Sequence, residues 1–337
     1  MKDVKKIVVI GLGYIGLPTA VMLANSGHTV QGYDIDEEQI NKINSLQVNY
    51  DEPGLEEHLK DALISSNLSV SSCLRKGDCY IVAVPTPLNN DNNSADLGIF
   101  QSVIDKLIPI LKPFDLLIIE STSPVGTSDK VIKEIIKNRP DLVSHTNSEH
   151  NLLVDICYCP ERVLPGAIIH ELKNNSRIIG GSTGAATRRA KSLYASFVLA
   201  DSIETDLKTA EMIKLTENAY RDVNIAFANE VANICELDGI DTNNLISLAN
   251  LHPRVNILRP GIGVGGHCIA VDPWFLISAK PSETKLMKCA RETNKDRENK
   301  TRIKIQDQLS EIATDRTKLT VLFMGITYKP NVGDVRE

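Results

Sequence analysis

The sequence predicts an α/β protein: first a mostly parallel, doubly wound sheet, then an all-helical region with a long connecting helix, and last the start of a further α/β unit. Three observations carry that prediction. Short apolar runs ending in turn residues alternate with helical patterns across residues 1–200. From Asp206 to Leu237 the chain has neither Gly nor Pro. After a loop rich in Gly, Pro, His and Asn, a second long helical pattern is heavily charged.

Residues 7–13 read as an apolar strand that ends in glycines, and 15–26 as a helix. His28–Tyr33 reads as a second strand. Cys79–Val84 and Leu116–Glu120 follow, each leading through a turn into a helical pattern, and Val154–Cys157 and Ser176–Ile179 extend the series. Such alternation implies right-handed crossovers and a mostly parallel sheet. Ile213, Ala219, Val223, Ala226 and Val231 then recur at helical spacing in a helix longer than most. A helix of that length links domains or supports a subunit interface. Residues 249–273 form the loop, and Ser282–Ile312 is the charged helix, read as a solvated connector. Leu319–Met324 reads as another parallel strand, followed by Gly325 and the turn Tyr328-Lys329-Pro330. The expected domains are 1–200, 201–300 and 301–337, the last incomplete, since one strand and a loop cannot make a domain.

Of the 337 residues, 37 are Lys or Arg and 43 are Asp or Glu, and no basic block stands out. That balance argues against nucleic acid as a partner. Without a membrane-length apolar run or a signal-like start, the expected compartment is the cytoplasm, with no membrane partner. The seven cysteines show neither disulfide-framework nor zinc-type spacing, so no metal is expected. Cys157 and Cys159 face the same side of a strand as filler. Cys73, Cys79, Cys235 and Cys289 lie in or near apolar or helical runs and read as buried and inert.

Gly11-Leu12-Gly13-Tyr14-Ile15-Gly16 follows a strand and opens a helix. The first glycine permits the tight turn, the second lets the backbone approach a pyrophosphate, and the third admits close helix–strand packing. Asp34, at the end of the second strand, is placed to accept hydrogen bonds from an adenosine ribose, and Asp36 can share that task. An acid there favours NAD over NADP. Val84-Pro85-Thr86-Pro87 and Glu120-Ser121-Thr122 end strands, where a doubly wound sheet has its ligand crevice. Either stretch also reads as a turn with a capping hydroxyl.

Cys268 does not fit the inert pattern. It closes the run Gly263-Val264-Gly265-Gly266-His267-Cys268, a glycine-rich setting that favours ligand contact. A redox cofactor and a nucleophilic thiol together suggest oxidation past an aldehyde, through a thioester. Asp272 can orient a water or an ammonium group. Adjacent side chains diverge, so His267 reads as turn support or a substrate contact rather than a base for Cys268. Lys214 and Asn218 share a face of the long helix, either merely solvated or placed to stabilise an alkoxide or thiohemiacetal oxygen. Glu161, in Cys159-Pro160-Glu161-Arg162, either activates water or pairs with an arginine.

The stretches Gly11–Gly16, Val84–Pro87, Ser121–Thr127 (STSPVGT) and Cys159–Gly166 (CPERVLPG) run in order with Glu211–Asn218 (EMIKLTEN), Gly265–Pro273 (GGHCIAVDP) and Gly325–Glu337 (GITYKPNVGDVRE). Together they resemble the UDP-glucose/GDP-mannose dehydrogenase family of NAD-dependent four-electron oxidoreductases, over essentially the whole chain. The resemblance implies a Rossmann-like NAD-binding domain, a central helical domain for dimerisation and catalysis, and the connector helix and first strand of a truncated UDP-binding domain. It implies Cys268 as nucleophile, Lys214 as the oxyanion stabiliser with Asn218 assisting, and Glu161 supporting thioester hydrolysis. Asp272 and Thr122 would position water and the reacting group. Around the cofactor it places Gly11, Gly13, Tyr14, Ile15, Gly16, Asp34, Asp36, Pro85, Thr86, Thr122 and Arg336. Around the substrate it places Glu161, Arg162, Leu164, Lys214, Asn218, His252, Arg254, Gly265 and Lys329, with the Arg254 loop acting across a homodimer interface.

The loop His252-Pro253-Arg254-Val255-Asn256 and the run Val271-Asp272-Pro273-Trp274-Phe275 are most similar to members that oxidise UDP-N-acetyl-D-mannosamine. Ala270 and Val271 stand where members acting on UDP-glucose carry Pro-Lys. A UDP-N-acetylhexosamine is therefore the expected substrate, with UDP-N-acetylglucosamine a close alternative. Two rivals stay open: a two-electron dehydrogenase of the 6-phosphogluconate or hydroxyacid type, and an inactive NAD-binding dimeric fragment.

Overall fold

The computed structural model describes residues 4–48, 52–89, 91–144, 151–312 and 319–325. They fall into two compact units. One holds the described residues up to Pro87 and from Ala95 to Lys214; the other holds Leu88–Ser94 and the described residues from Leu215 on.

The first unit is built on an eight-stranded sheet. Its strands are β1 (Lys6–Ile10), β2 (Thr29–Tyr33), β3 (Leu68–Ser71), β4 (Cys79–Val82), β5 (Leu116–Ile119), β8 (Asp155–Tyr158), β9 (Arg177–Gly181) and β10 (Ser202–Asp206). The short β6 (Val143–Ser144) and β7 (Asn151–Leu152) pair antiparallel outside it. The spatial order is β10-β9-β8-β5-β4-β1-β2-β3. Every neighbouring pair is parallel except β8 and β9, which run antiparallel. The order turns outward from β1 in both directions, so the carboxyl ends of β1 and β4 flank the crevice in which such sheets take ligands.

Alternation along each strand explains why the sheet is covered on both faces. Ile7, Val9, Cys79, Ile81, Leu116, Ile118 and Cys157 face one apolar cluster; Val8, Ile10, Tyr80, Val82, Leu117, Ile119 and Tyr158 face the other. The first cluster is completed by α1 (Gly16–Asn25), α3 (Leu55–Ile64), α6 (Ile168–Asn174) and α7 (Gly184–Tyr194). The second takes α4 (Gly98–Leu107) and α5 (Thr127–Asn138). Between β2 and α3 lies α2 (Glu37–Asn44). Each aliphatic side chain buried this way contributes about 1.5–3 kcal/mol. Cys157 and Cys159 lie together in the first cluster, as their spacing predicts, and burial pushes both thiols up.

Helix α8 runs unbroken from Leu207 to Leu237, close to the predicted span. Its first turns, with Leu207 and Ala210 buried, belong to the first unit and the rest to the second. The second unit continues through α9 (Thr242–Ala249), a stretch with no helix or strand to Val271, then α10 (Asp272–Ala279) and α11 (Lys285–Ile312). Among the described residues no helix is long and apolar enough to cross a membrane.

Four expectations need correction. The edge strands β3 and β10 escape the sequence pattern because they are only partly buried and mix polar with apolar residues, β3 reading Leu-Ser-Val-Ser and β10 Ser-Ile-Glu-Thr-Asp. Residues 319–325 carry no strand, and Leu322, Phe323 and Met324 are exposed. A strand exists only through its ladder, and no described strand pairs with this one. Cys73 and Cys289 are exposed rather than buried: Cys73 lies in a bend after β3, and Cys289 lies on α11 outside its buried stripe. Finally, α11 is no mere solvated connector, for Ala290, Arg291 and Asn294 are buried along one stripe.

Candidate active site

At the end of β1 the three glycines have three separate reasons. Gly11 has φ of +87°, and a Cβ there would lie 2.5 Å from the Ala83 carbonyl oxygen. Gly16 opens α1 against that turn so closely that a Cβ would meet the Gly11 oxygen at 1.8 Å. Around the Cβ position of Gly13 nothing lies within 4 Å, which leaves room for a ligand against the backbone. Tyr14 and Ile15 are half-buried beside it, and Ile15 supplies no side-chain cap to α1. An open glycine and an uncapped helix start suit a pyrophosphate, so these residues fit a dinucleotide.

Asp34 braces this loop. Its Oδ2 accepts from the Leu12 amide at 2.7 Å and its Oδ1 from the Asp36 amide at 3.1 Å. Asp36 is the N-cap of α2, accepting from the Glu38 amide at 2.9 Å and the Gln39 amide at 3.3 Å. Gln39, which sequence reasoning missed, donates from Nε2 to the Leu12 carbonyl at 3.2 Å. Beyond β4, Pro85 is exposed, and Thr86 Oγ1 donates to the Thr122 carbonyl at 2.6 Å. Ser121 Oγ accepts from the Val84 amide at 2.9 Å, tying the ends of β4 and β5 together. Thr122 itself is half-buried.

Behind these ends Glu120 is buried. Its Oε1 accepts from the Tyr194 hydroxyl at 2.6 Å and from Arg177 Nη1 at 3.3 Å. The guanidinium of Arg177 sits 4.3 Å from the Tyr194 ring centre. Burial pushes the Tyr194 phenol well up, so it stays protonated as a donor.

The same unit builds the Lys214 site. Lys214 is buried on α8 and donates from Nζ to the Glu161 carbonyl at 2.6 Å. The Glu161 carboxylate is buried too and accepts from the Val163 amide. Burial pushes its pKa up, against the pull of the Lys214 ammonium. Arg162 donates from Nη1 to the Ser176 carbonyl at 3.1 Å, and Leu164 is exposed. Upstream of Lys214, the fully buried Glu211 reaches from α8 to the start of α5. It accepts from the Gly126 amide at 2.5 Å, the Ser128 amide at 2.8 Å and Ser128 Oγ at 2.7 Å. Burial raises the Glu211 pKa, opposed by those donors.

The second unit presents Cys268 exposed, in a turn whose carbonyl accepts from the Val271 amide at 3.1 Å and the Asp272 amide at 2.8 Å. His267 is exposed beside it and Gly265 half-buried. Asp272, the first residue of α10, is buried and accepts at Oδ2 from Asn218 Nδ2 at 2.6 Å. The structure therefore joins Asn218 to Asp272 across 54 residues of sequence. His252 and Arg254 are exposed in the loop after α9, where the Arg254 amide donates to His252 Nδ1 at 3.3 Å. Lys329 and Arg336 lie outside the described residues.

A buried polar chain supports this loop. Arg291 Nη1 donates to Asp222 Oδ1 at 2.7 Å and to the Ile269 carbonyl at 3.4 Å. Asn294 donates to Asp222 Oδ1 at 2.8 Å and accepts from Asn229 Nδ2 at 2.9 Å. The Asn229 side-chain oxygen in turn accepts from the Gly261 amide at 2.9 Å. Gly263 packs on α11 so tightly that a Cβ would lie 2.5 Å from Glu298 Cγ. Burial raises the Asp222 pKa, and Arg291 pulls it back. Asp222, Asn229, Arg291 and Asn294 were missed in the sequence; the 65-residue gap between Asn229 and Asn294 leaves no local signal.

Residues 5–198 match the NAD binding domain of the UDP-glucose/GDP-mannose dehydrogenase family, and residues 208–296 match its central domain. The chain belongs to this family. It is 44% identical to the UDP-N-acetyl-D-mannosamine dehydrogenase of Methanococcus maripaludis strain C7, covering 99% of this chain and 75% of that protein. It is 42% identical to the NDP-N-acetyl-D-galactosaminuronic acid dehydrogenase of Ralstonia nicotianae, over 99% of this chain and 78% of that one. Among solved structures, the native UDP-N-acetyl-mannosamine dehydrogenase of Staphylococcus aureus superimposes with a TM-score of 0.84 at 42% identity, covering 99% of this chain and 77% of that one. The chain is thus an NAD-dependent sugar-nucleotide dehydrogenase of this family.

Arg291→Met removes the partner of a buried carboxylate and is expected to cost about 3–5 kcal/mol of stability. Urea unfolding of the variant beside the unaltered chain measures it.

Proposed function

We propose that this protein oxidises the C6 alcohol of UDP-N-acetyl-D-mannosamine to the carboxylate, in two hydride transfers joined by a thioester on Cys268. The observation that carries this reading is the exposed Cys268 thiol in a turn closed by the Asp272 amide, with buried Asp272 held by Asn218. A two-electron dehydrogenase has no use for such a thiol. NAD, when bound, supplies the acceptor for each hydride; the Asp34 carboxylate near the glycine turn favours it over NADP.

The first oxidation removes a hydride and a proton from the alcohol and leaves an aldehyde, the proton passing to Lys214, once that side chain has given up its own proton, or to a water held by Asp272. Cys268 sulfur, its proton given up to water, then bonds to the aldehyde carbon, and the ammonium of Lys214 and the amide of Asn218 stabilise the oxyanion. Loss of the second hydride gives the thioester. Water, activated by Glu161 and oriented by Asp272 and Thr122, breaks the carbon–sulfur bond and frees the acid. On the substrate side Arg162, Leu164, His252, Arg254 and Gly265 contact the sugar nucleotide.

A second substrate reading rests on the relatives. The proteins at 44% and 42% identity carry different sugar names, so overall identity does not choose between N-acetylhexosamines. Ala270 and Val271 argue against plain UDP-glucose. A panel of UDP-N-acetylmannosamine, UDP-N-acetylglucosamine and UDP-N-acetylgalactosamine ranks them by kcat/KM.

We further propose that the chain forms a homodimer through α8. Tyr220, Phe227 and Ile234 are exposed at seven-residue spacing along this helix, 63%, 52% and 58% accessible. Such an apolar stripe is the surface that a second copy of the same helix would cover.

Three outcomes check these proposals. Two NADH should form per sugar oxidised, and Cys268→Ser should abolish acid formation while leaving NAD affinity within about twofold; one NADH with a free aldehyde would falsify the thioester route. Because burial raises the pKa of Glu161, and a base must be ionised to act, kcat should climb with pH through an apparent pKa above the ordinary glutamate value of about 4.3. That limb should vanish in Glu161→Gln, as read from a pH–rate profile. Phe227→Asp should convert the dimer to monomer in sedimentation analysis, and a variant that sediments like the parent dimer discards the α8 interface.

A further inference from the structure

The segment from Cys159 to Ala167 joins β8 to α6 with no regular structure, yet it carries Glu161, Arg162 and Leu164. Local contacts shape part of it. The Glu161 carboxylate accepts from the Val163 amide, Glu171 Oε2 accepts from the Leu164 amide at 2.8 Å, and Asn175 donates to the Arg162 carbonyl at 3.3 Å. Those partners belong to the loop itself or to α6 and its C-cap. They give the loop its internal form without placing it on the sheet.

The Cys159 amide joins the segment to β5 by donating to the Ile119 carbonyl at 2.9 Å, and two carboxylate or ammonium side chains from distant parts of the chain hold it further along. Near one end Lys214 holds the Glu161 carbonyl. Near the other, Glu52, only 6% exposed, accepts from the Gly166 amide at 2.8 Å and the Ile168 amide at 2.6 Å. Gly166 has φ of +87°, a conformation that favours glycine. Both Glu52 oxygens are thus spent on backbone donors 114 and 116 residues away. An ionised carboxylate is acceptor-only and takes such a pair without conflict.

We propose that Glu52 is a positioning residue for the oxidation. By clamping Gly166 and Ile168 it sets the backbone of the Glu161 loop, and through the Glu161 carbonyl it sets the Lys214 ammonium. Glu52 touches no reacting atom in this role. The catalytic consequence rests on the proposed function; the clamp itself does not.

Glu52→Gln is the discriminating variant. It keeps size and one acceptor but points an NH2 donor at a backbone N–H, so one buried amide loses its partner. In the full chain, amide hydrogen exchange of the peptide spanning 161–168 should speed up at Gly166 and Ile168, while a β1–α1 peptide keeps its protection. With saturating NAD and UDP-N-acetylmannosamine, thioester hydrolysis should slow about 10–100-fold. That appears as a burst of NADH followed by a slow steady state, with KM for NAD unchanged. Glu56→Gln, an exposed acid on α3, serves as the matched control and should do neither.

Parental exchange at 161–168 in Glu52→Gln overturns the proposal. So does a uniform loss of protection across the unit, or a smaller active fraction that turns over at the parental rate, since either marks a merely structural residue. If the unaltered chain makes no uronate from any sugar of the panel, the proposed function falls, and the exchange pattern alone still decides the clamp.

Discussion

The contact on which the Lys214 site of the first unit depends is the carboxylate of Glu211 at the start of α5. Three donors, two of them backbone amides, converge on a fully buried side chain of α8. Helix α5 begins at a left-handed Gly126, which has no side chain to cap it, so the acceptor must come from elsewhere. A negative charge there also meets the positive end of the α5 dipole. Because α8 is a regular helix, fixing Glu211 fixes the phase of the residues that follow, and Lys214 comes to lie beside the Glu161 carbonyl.

Carboxylates, buried at Glu52 and Glu211 and half-buried at Asp34, recur as the means by which this protein holds irregular backbone. Glu52 holds Gly166 and Ile168, Glu211 holds Gly126 and Ser128, and Asp34 holds Leu12. In each case an acceptor-only group satisfies donors that secondary structure leaves over, which costs less than orphaning them. Glu120 and Asp222 use a different solution, pairing with Arg177 and Arg291. Those ion pairs are desolvated, so breaking one leaves a charge with no compensation.

The two units hold the residues of the proposed mechanism differently. Lys214 and Glu161 are buried and rigidly bonded, whereas Cys268, His252 and Arg254 are exposed on a stretch without helix or strand. Groups that stabilise charge benefit from a preorganised, low-dielectric setting. A thiol proposed as the nucleophile needs access to its substrate. The polar chain from Asp222 to Gly261 reconciles access with order, since it secures the Cys268 loop from beneath through backbone groups at Gly261 and Ile269.

The sequence by itself determined whatever rests on local backbone or side-chain periodicity. Short continuous apolar runs ending in turn residues located the central strands, and helical spacing without Gly or Pro located α8. The glycine spacing at Gly11, Gly13 and Gly16 foretold a tight turn, an open approach and a close packing contact, because φ and the lack of a Cβ are properties of single residues. The exposure of Cys268 was legible from its glycine neighbours. What only the tertiary structure decided is which partners buried polar groups find: Asp272 with Asn218, Glu52 with Gly166, Glu211 with Ser128, Arg291 with Asp222. The edge strands and the buried stripe of α11 belong with these. A desolvated carboxylate must be satisfied, but any donor the fold brings near can do it. Sequence separation says nothing of which one that will be, so the choice belongs to the packed chain.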